Sequence, residues 1–191
     1  PRPREMPLYA HSTSYRDWVQ AWTLWLIRSS RPGDAASLFH IFTSVVRDHD
    51  VGIAQYLLPH LVLHILISGS SQQRRTVLGE SLAVLADQAH PALGYEPERR
   101  RLTAQTLFHV LDHVGHWMRR MRLVPLRMAR RSRWRDALSD VQAIMDELSP
   151  DLLAQASLQC DAYARALLHF EYRIRAVSYT HLRAHETSLH L

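Results

Sequence analysis

His109, His113 and His116 fall at i, i+4 and i+7, a spacing that places three imidazoles on one face of a helix. Two imidazoles one turn apart can chelate zinc, and Asp112 stands beside them. No Glu occupies the position that an HExxH pattern needs, and no Cys or third ligand is placed nearby. The spacing therefore favours a solvated or inter-helix polar face, with a metal site as the alternative. His60 and His64 repeat the i, i+4 interval inside an apolar stretch, where hydrogen-bonded core histidines are the preferred reading.

The second group that could do chemistry is basic. Arg119, Arg120, Arg122, Arg127, Arg130, Arg131, Arg133 and Arg135 form one dense cluster, interleaved with Met121, Trp134 and other apolar residues. Such a cluster can neutralise phosphates or an acidic partner. Solvation of a connector, helped by the attraction of a helix C-terminus for cations, is the preferred reading. All 23 basic residues are Arg, and the chain contains neither Lys nor Asn. Both missing residues have codons beginning with AA, so a GC-biased gene explains part of the Arg excess and weakens an argument from the net charge of +5.

Catalytic patterns are missing from the sequence. There is no phosphate-cradling Gly-rich loop, no nucleophile elbow and no Asp-Phe-Gly, and without Asn there is no kinase-type catalytic loop. The adjacent carboxylates Asp146 and Glu147 sit at a predicted helix end with no pocket to serve. Cys160 excludes an internal disulfide framework, and as a small apolar side chain it suits helix packing better than thiol chemistry. Ser71-Gln72 has the form of a Ser-Gln phosphorylation site, at a frequency chance explains.

The elements that must position these residues are helical. Six glycines in 191 residues argue against sandwiches and barrels, which need Gly-rich turns. Ser14 is a good N-cap for a helix whose Trp18, Trp22, Trp25 and Leu26 share a face. Asp34 is the expected cap of a second helix with Leu38, Phe39, Ile41, Phe42, Val45 and Val46 turned inward. Residues 51–68 are apolar on nearly every side, which implies burial, and Pro59 either kinks that helix or begins a new one. A helix over 72–88 follows, then a loop at 90–98, a long amphipathic helix over 101–122, an Arg-rich connector over 123–135, and a shorter helix ending at Leu148. No leader with an apolar core opens the chain, and the run Ile53–Ile67 is too short and too interrupted to span a bilayer.

Asp151–Arg175 predicts two short helices folded together, with Ala154, Ala156, Ala162 and Ala166 at their contact and Leu153, Tyr163, Leu167 and Phe170 locking the pair. The run Ala162-Tyr163-x-x-Ala166-Leu167-x-x-Phe170-Glu171 resembles a tetratricopeptide hairpin. One such unit cannot bury its apolar face unaided, so it implies neighbours, and the chain reads as a piece of something longer. The expected fold is all-α, a right-handed solenoid of stacked helical hairpins of the HEAT and tetratricopeptide kind, with a free-standing bundle as the alternative.

With these segments in order, the chain resembles the ATR-type checkpoint kinases of the phosphatidylinositol-3-kinase-related family. The resemblance is carried by Ser14–Leu26, by Tyr56-Leu57-Leu58-Pro59-His60, and by Leu102-Thr103-Ala104-Gln105-Thr106 with Leu111-Asp112-His113 and Trp117. It ends in Ala162-Tyr163-x-Arg165-Ala166-x-x-His169-Phe170-Glu171. It implies HEAT-like repeats over 14–122, and over 136–176 a helix followed by a first repeat of the FAT domain. Residues 1–13 would be disordered or the end of a preceding element, and 177–191 resemble translated sequencing-adapter DNA. It further implies a nuclear parent that phosphorylates Ser or Thr before Gln under replication stress, bound to an ATRIP-like subunit. ATP and magnesium would belong to that parent's kinase domain, and none of its catalytic residues match here. The alternative function is an independent α-helical module that binds nucleic acid or protein through the Arg119–Arg135 cluster.

Overall fold

The computed structural model describes residues 5–31, 33–48, 51–91, 94–123, 131–171 and 174. In order these form α1 (Leu8–His11), α2 (Tyr15–Ser29), α3 (Asp34–Ile41), α4 (Thr43–Arg47), α5 (Val51–Ser68), α6 (Ser71–Ala89), α7 (Pro97–Leu123), α8 (Arg131–Asp146) and α9 (Pro150–Gln159). A further helix, α10, covers 163–171, and no strand occurs among the described residues. The fold is an all-α solenoid fragment.

The axis of the packing is α5. Its Ala54, Leu57, Leu58, Leu61, Val62, Ile65 and Leu66 are all buried, because α2, α4, α6, α7 and α8 lie against it on different sides. A helix apolar all round demands that arrangement. Each large aliphatic side chain so enclosed contributes about 1.5–3 kcal/mol relative to exposure. By length and composition α5 could cross a membrane, but here neighbouring helices cover it. Pro59 neither breaks nor restarts the helix; it sits buried inside one continuous element.

Local sequence explains the joints. The Ser14 hydroxyl accepts from the Asp17 amide at 3.2 Å and opens α2. Between α5 and α6 the chain reverses at Gly69, where any Cβ would lie 2.4 Å from the Ile65 carbonyl oxygen, so only Gly fits. Ser70 and Gln73 then close a reciprocal capping box, the Ser70 amide donating to Gln73 Oε1 at 2.8 Å and the Gln73 amide to Ser70 Oγ at 3.2 Å. The Gln73 side chain also donates to the Ser29 carbonyl at 2.7 Å, which ties this turn to the end of α2.

Several expectations need correction. Of the two readings of 1–13, disorder does not hold for residues 8–11: they form α1, and its Leu8 and Tyr9 are among the most buried described residues. Their holding partner is Glu80, more than seventy positions away, which local pattern cannot reveal. The helix begun at Asp34 stops at Phe42 and restarts as α4, with Gly33 in the cap position. Leu38 and Ile41 are 61% and 69% exposed rather than inward. Tyr163 and Leu167 likewise point outward and do not lock the α9–α10 pair, whereas Ala154, Ala156 and Ala166 are buried. Both outcomes have one cause: the described chain offers these apolar faces no neighbour.

The polar centre of the fold is Glu80 on α6. It is fully buried and accepts the Leu8 amide at 2.6 Å, the Tyr9 amide at 2.8 Å and the Trp18 indole N–H at 2.7 Å. One turn-pair along the same helix face, Asp87 accepts the Tyr9 hydroxyl at 2.6 Å. Arg99 of α7 donates to the Tyr9 carbonyl at 2.8 Å, with its guanidinium 3.7 Å from the Tyr95 ring centre. Burial raises the Glu80 carboxyl above its ordinary range, against the three donors that favour the anion. Glu80→Ala would leave three buried donors without an acceptor. We expect a loss of about 3–5 kcal/mol in urea denaturation, with the Leu8 and Tyr9 amides losing their protection from hydrogen exchange. Unchanged protection of those amides would contradict this account of α1.

Candidate interaction surface

The basic cluster does not form one connector. Leu123 still belongs to α7 and Arg131 already belongs to α8, so the expected irregular segment 123–135 is helical at both ends. Arg is a good helix former, and the apolar stripe of α8 favours early helix entry. Arg119, Arg120 and Arg122 are exposed on the last turns of α7, a favourable end for cations. Arg122 donates to Gln142 on α8. Arg135 is exposed on α8, and Arg131 and Arg133 lie in that helix's first turn. Arg127 and Arg130 lie outside the described residues, as does the 177–191 stretch.

The histidines of α7 do come together, and with an α5 partner the spacing did not show. His60 and His113 pack edge-on with ring centres 4.5 Å apart, and Tyr56 lies 5.6 Å from His60. His109 and His116 flank His113 along the same face and are exposed. Burial, followed by the nearby His60, His109 and His116, pulls His113 below its ordinary pKa. His64 is lowered by burial against α3, where Phe39 meets it edge-on at 5.7 Å. Among the described residues no three His, Cys, Asp or Glu side chains converge as a metal would require.

Asp112 is engaged elsewhere. Arg165 of α10 grips it with two hydrogen bonds, at 2.8 and 2.5 Å, while its guanidinium lies 4.9 Å from the Phe108 ring centre. This fork joins α7 to the last described helix. Arg74 of α6 reaches Asp140 of α8 at 2.5 Å in a similar way. Cys160 is buried at the end of α9, and burial, with Asp161 beside it, pushes its thiol up to about 11. At neutral pH it is therefore protonated and inert as a nucleophile.

Sequence reasoning missed the cleft beside the histidines. Tyr15, Gln55, Tyr56, Leu102, Gln105, Thr106 and His109 line a cavity of about 400 Å³ where α2, α5 and α7 meet. The Tyr15 hydroxyl pairs with Thr106 Oγ1 at 2.7 Å, fixing the rim. Polar residues on an otherwise buried helix, Gln55 and Tyr56, were the available signal.

The family model for the M-HEAT region of the serine/threonine-protein kinase ATR matches residues 2–191. The chain belongs to this family. The ATR of Oryza sativa subsp. indica is 28% identical over 198 residues, covering 90% of this chain and 7% of the relative. Arabidopsis thaliana ATR is likewise 28% identical, with the same coverage. Protein kinase rad3 of Schizosaccharomyces pombe is 26% identical over 184 residues, covering 88% of this chain and 8% of that protein. The chain thus spans less than a tenth of the length of these relatives. No solved structure matches. In the M-HEAT chain all the sites described are contacts between helices or faces of helices.

The three depressed imidazoles give the fold a pH dependence of definite sign. His64, His113 and His169 all lie below 6.5, each mainly through burial. The unfolded chain therefore binds more protons than the folded one as pH falls below 6.5, and stability declines through that window and is flat above it. Glu80, raised from 4.5, acts with the opposite sign in its own window. Thermal melts from pH 8 to 5 should show the decline, and His113→Gln should flatten it. An unchanged slope in that variant would assign the effect to other groups.

Proposed function

We propose that this chain is a non-catalytic helical scaffold segment of an ATR-type serine/threonine protein kinase that acts in the DNA-damage and replication-stress checkpoint. The observation that carries the reading is that the M-HEAT match takes in essentially the whole chain; among the described residues, Glu80 holds α1, Arg165 holds α7 and Gln73 holds the end of α2, so these polar groups join helices. In this role stacked helices form a continuous core that transmits strain between partner-binding regions and a distant kinase domain. Asp151–Arg175 would be the unit at which the repeats approach the FAT domain. ATP and magnesium would bind in the parent's kinase domain, an ATRIP-like subunit would be a partner, and the parent would work in the nucleus.

The second reading, direct nucleic-acid binding, rests on the exposed Arg119, Arg120, Arg122 and Arg135. It requires affinity that falls steeply with salt, and a shallower slope when those residues become Gln.

The scaffold reading makes a separable kinetic statement. Leu61→Asp, placed in the full-length parent, should lower kcat towards a Ser-Gln peptide and leave KM for ATP unchanged, because the fault lies in force transmission and not at the nucleotide site. Unchanged kcat in folded, soluble protein would refute it, as would phosphotransfer by the purified 191-residue chain.

A further inference from the structure

The groove between α5 and α7 is a surface that holding the helices together does not require. Its deep end is the cleft of about 400 Å³ beside Tyr56, whose ring is 72% exposed although it sits on the most apolar helix of the chain. From there Thr106, His109, His113, His116 and Arg120 follow at alternating intervals of three and four residues, a single stripe along α7. The stripe is about 21 Å long at the helical rise, or four turns. His60 of α5 meets His113 edge-on, so beyond the cleft the two helices close together and the stripe continues as an exposed ridge.

Apart from Asp112, the charge that α5 and α7 bring to this face has one sign. Val51–Ser68 contains no Asp or Glu, and Asp112 is the sole carboxylate between Arg99 and Leu123. Arg165 already holds it in a two-pronged pair. Arg119, Arg120 and Arg122 crowd the far end of the stripe. The middle is lined instead by neutral donors and acceptors: the Gln55 and Gln105 amides, the Tyr15 and Thr106 hydroxyls, and the imidazoles. A nucleic-acid strand, charged at every phosphate, would find permanent cations at one end only. A polypeptide helix can match the uneven pattern, with an apolar side chain at the cleft and carboxylates towards the imidazoles and Arg120.

We propose that the α5–α7 groove docks an acidic, amphipathic helix of a protein partner, anchored at Tyr56 and read along His109, His113, His116 and Arg120. The occupant is a helix of about 14–16 residues, the length that four turns require, with an apolar anchor at one end of its docking face and carboxylates along the rest.

The test uses the full 191-residue chain and a fluorescein-labelled 16-residue helical peptide whose docking face carries Leu at one end and Glu along the rest, with Ala elsewhere. Its counterpart carries Lys for every Glu, and a 16-nucleotide oligothymidylate serves as competitor. The Glu peptide should bind by fluorescence anisotropy, and the Lys peptide should not. Tyr56→Ala and the pair His109→Glu with His116→Glu should each weaken binding about tenfold or more. These positions are exposed, and circular dichroism melts report whether the variants remain folded. Arg28→Glu, on the exposed end of α2, should leave binding unchanged. No binding of the Glu peptide, equal binding of the Lys peptide, or indifference to the Tyr56 and His109/His116 variants overturns the proposal. Displacement of the peptide by a lower concentration of oligothymidylate overturns it in favour of nucleic acid.

Discussion

A carboxylate buried in the core and held by three donors is the constraint on which this structure turns. Glu80 is enclosed on all sides, and the donors that make its burial tolerable come from two places: the first amides of α1 and the indole of Trp18. A buried acceptor of this kind is costly unless fully satisfied. Position 80 therefore dictates where residues 8–9 must lie, and α1 must stay docked for α6 to be stable. Tyr9 extends the same logic to Asp87 and Arg99, so α1, α2, α6 and α7 share one polar knot inside an apolar shell.

Around that knot the apolar packing is organised by α5. A helix without a polar face cannot sit at a surface, and here it is enclosed by five others. The polar residues it does carry, Gln55, His60 and His64, mark where cover is incomplete, and they coincide with the cleft and with the two imidazole contacts. The groove and the core are thus two consequences of one helix: its buried sides hold the repeats together, and its uncovered strip, with α2 and α7, lines the cleft.

Much of this was legible in sequence where the cause is local. The Ser14 cap, the tryptophan face of α2, the all-apolar character of 51–68, the stripe of α7 and the buried alanines of α9 and α10 all follow from spacing, and the structure has each of them. What pattern could not supply was partnership at a distance. Nothing local marks Glu80 as the partner of residues 8–9, because the bonds joining them bridge more than seventy residues. His60 and His113 each belonged to a plausible one-helix pair, yet their contact runs between helices. The apolar residues of α3 and α10 were assigned inward by periodicity, which identifies a face but not whether anything lies opposite it.

The uncovered stripes on α3–α4 and on α10 differ in sequence and shape: Leu38, Ile41, Phe42 and Val45 on one, Tyr163, Leu167 and Leu168 on the other. Two copies that joined by pressing one stripe against the other would still leave one of each kind free. Such an arrangement is head-to-tail, so growth gives an open string unless the rotation from copy to copy closes a ring. Within a continuous chain of repeats the same property is an advantage, since every unit accepts a successor. Taken out of that chain, it becomes a polarity of assembly written into the ends of a short piece of protein.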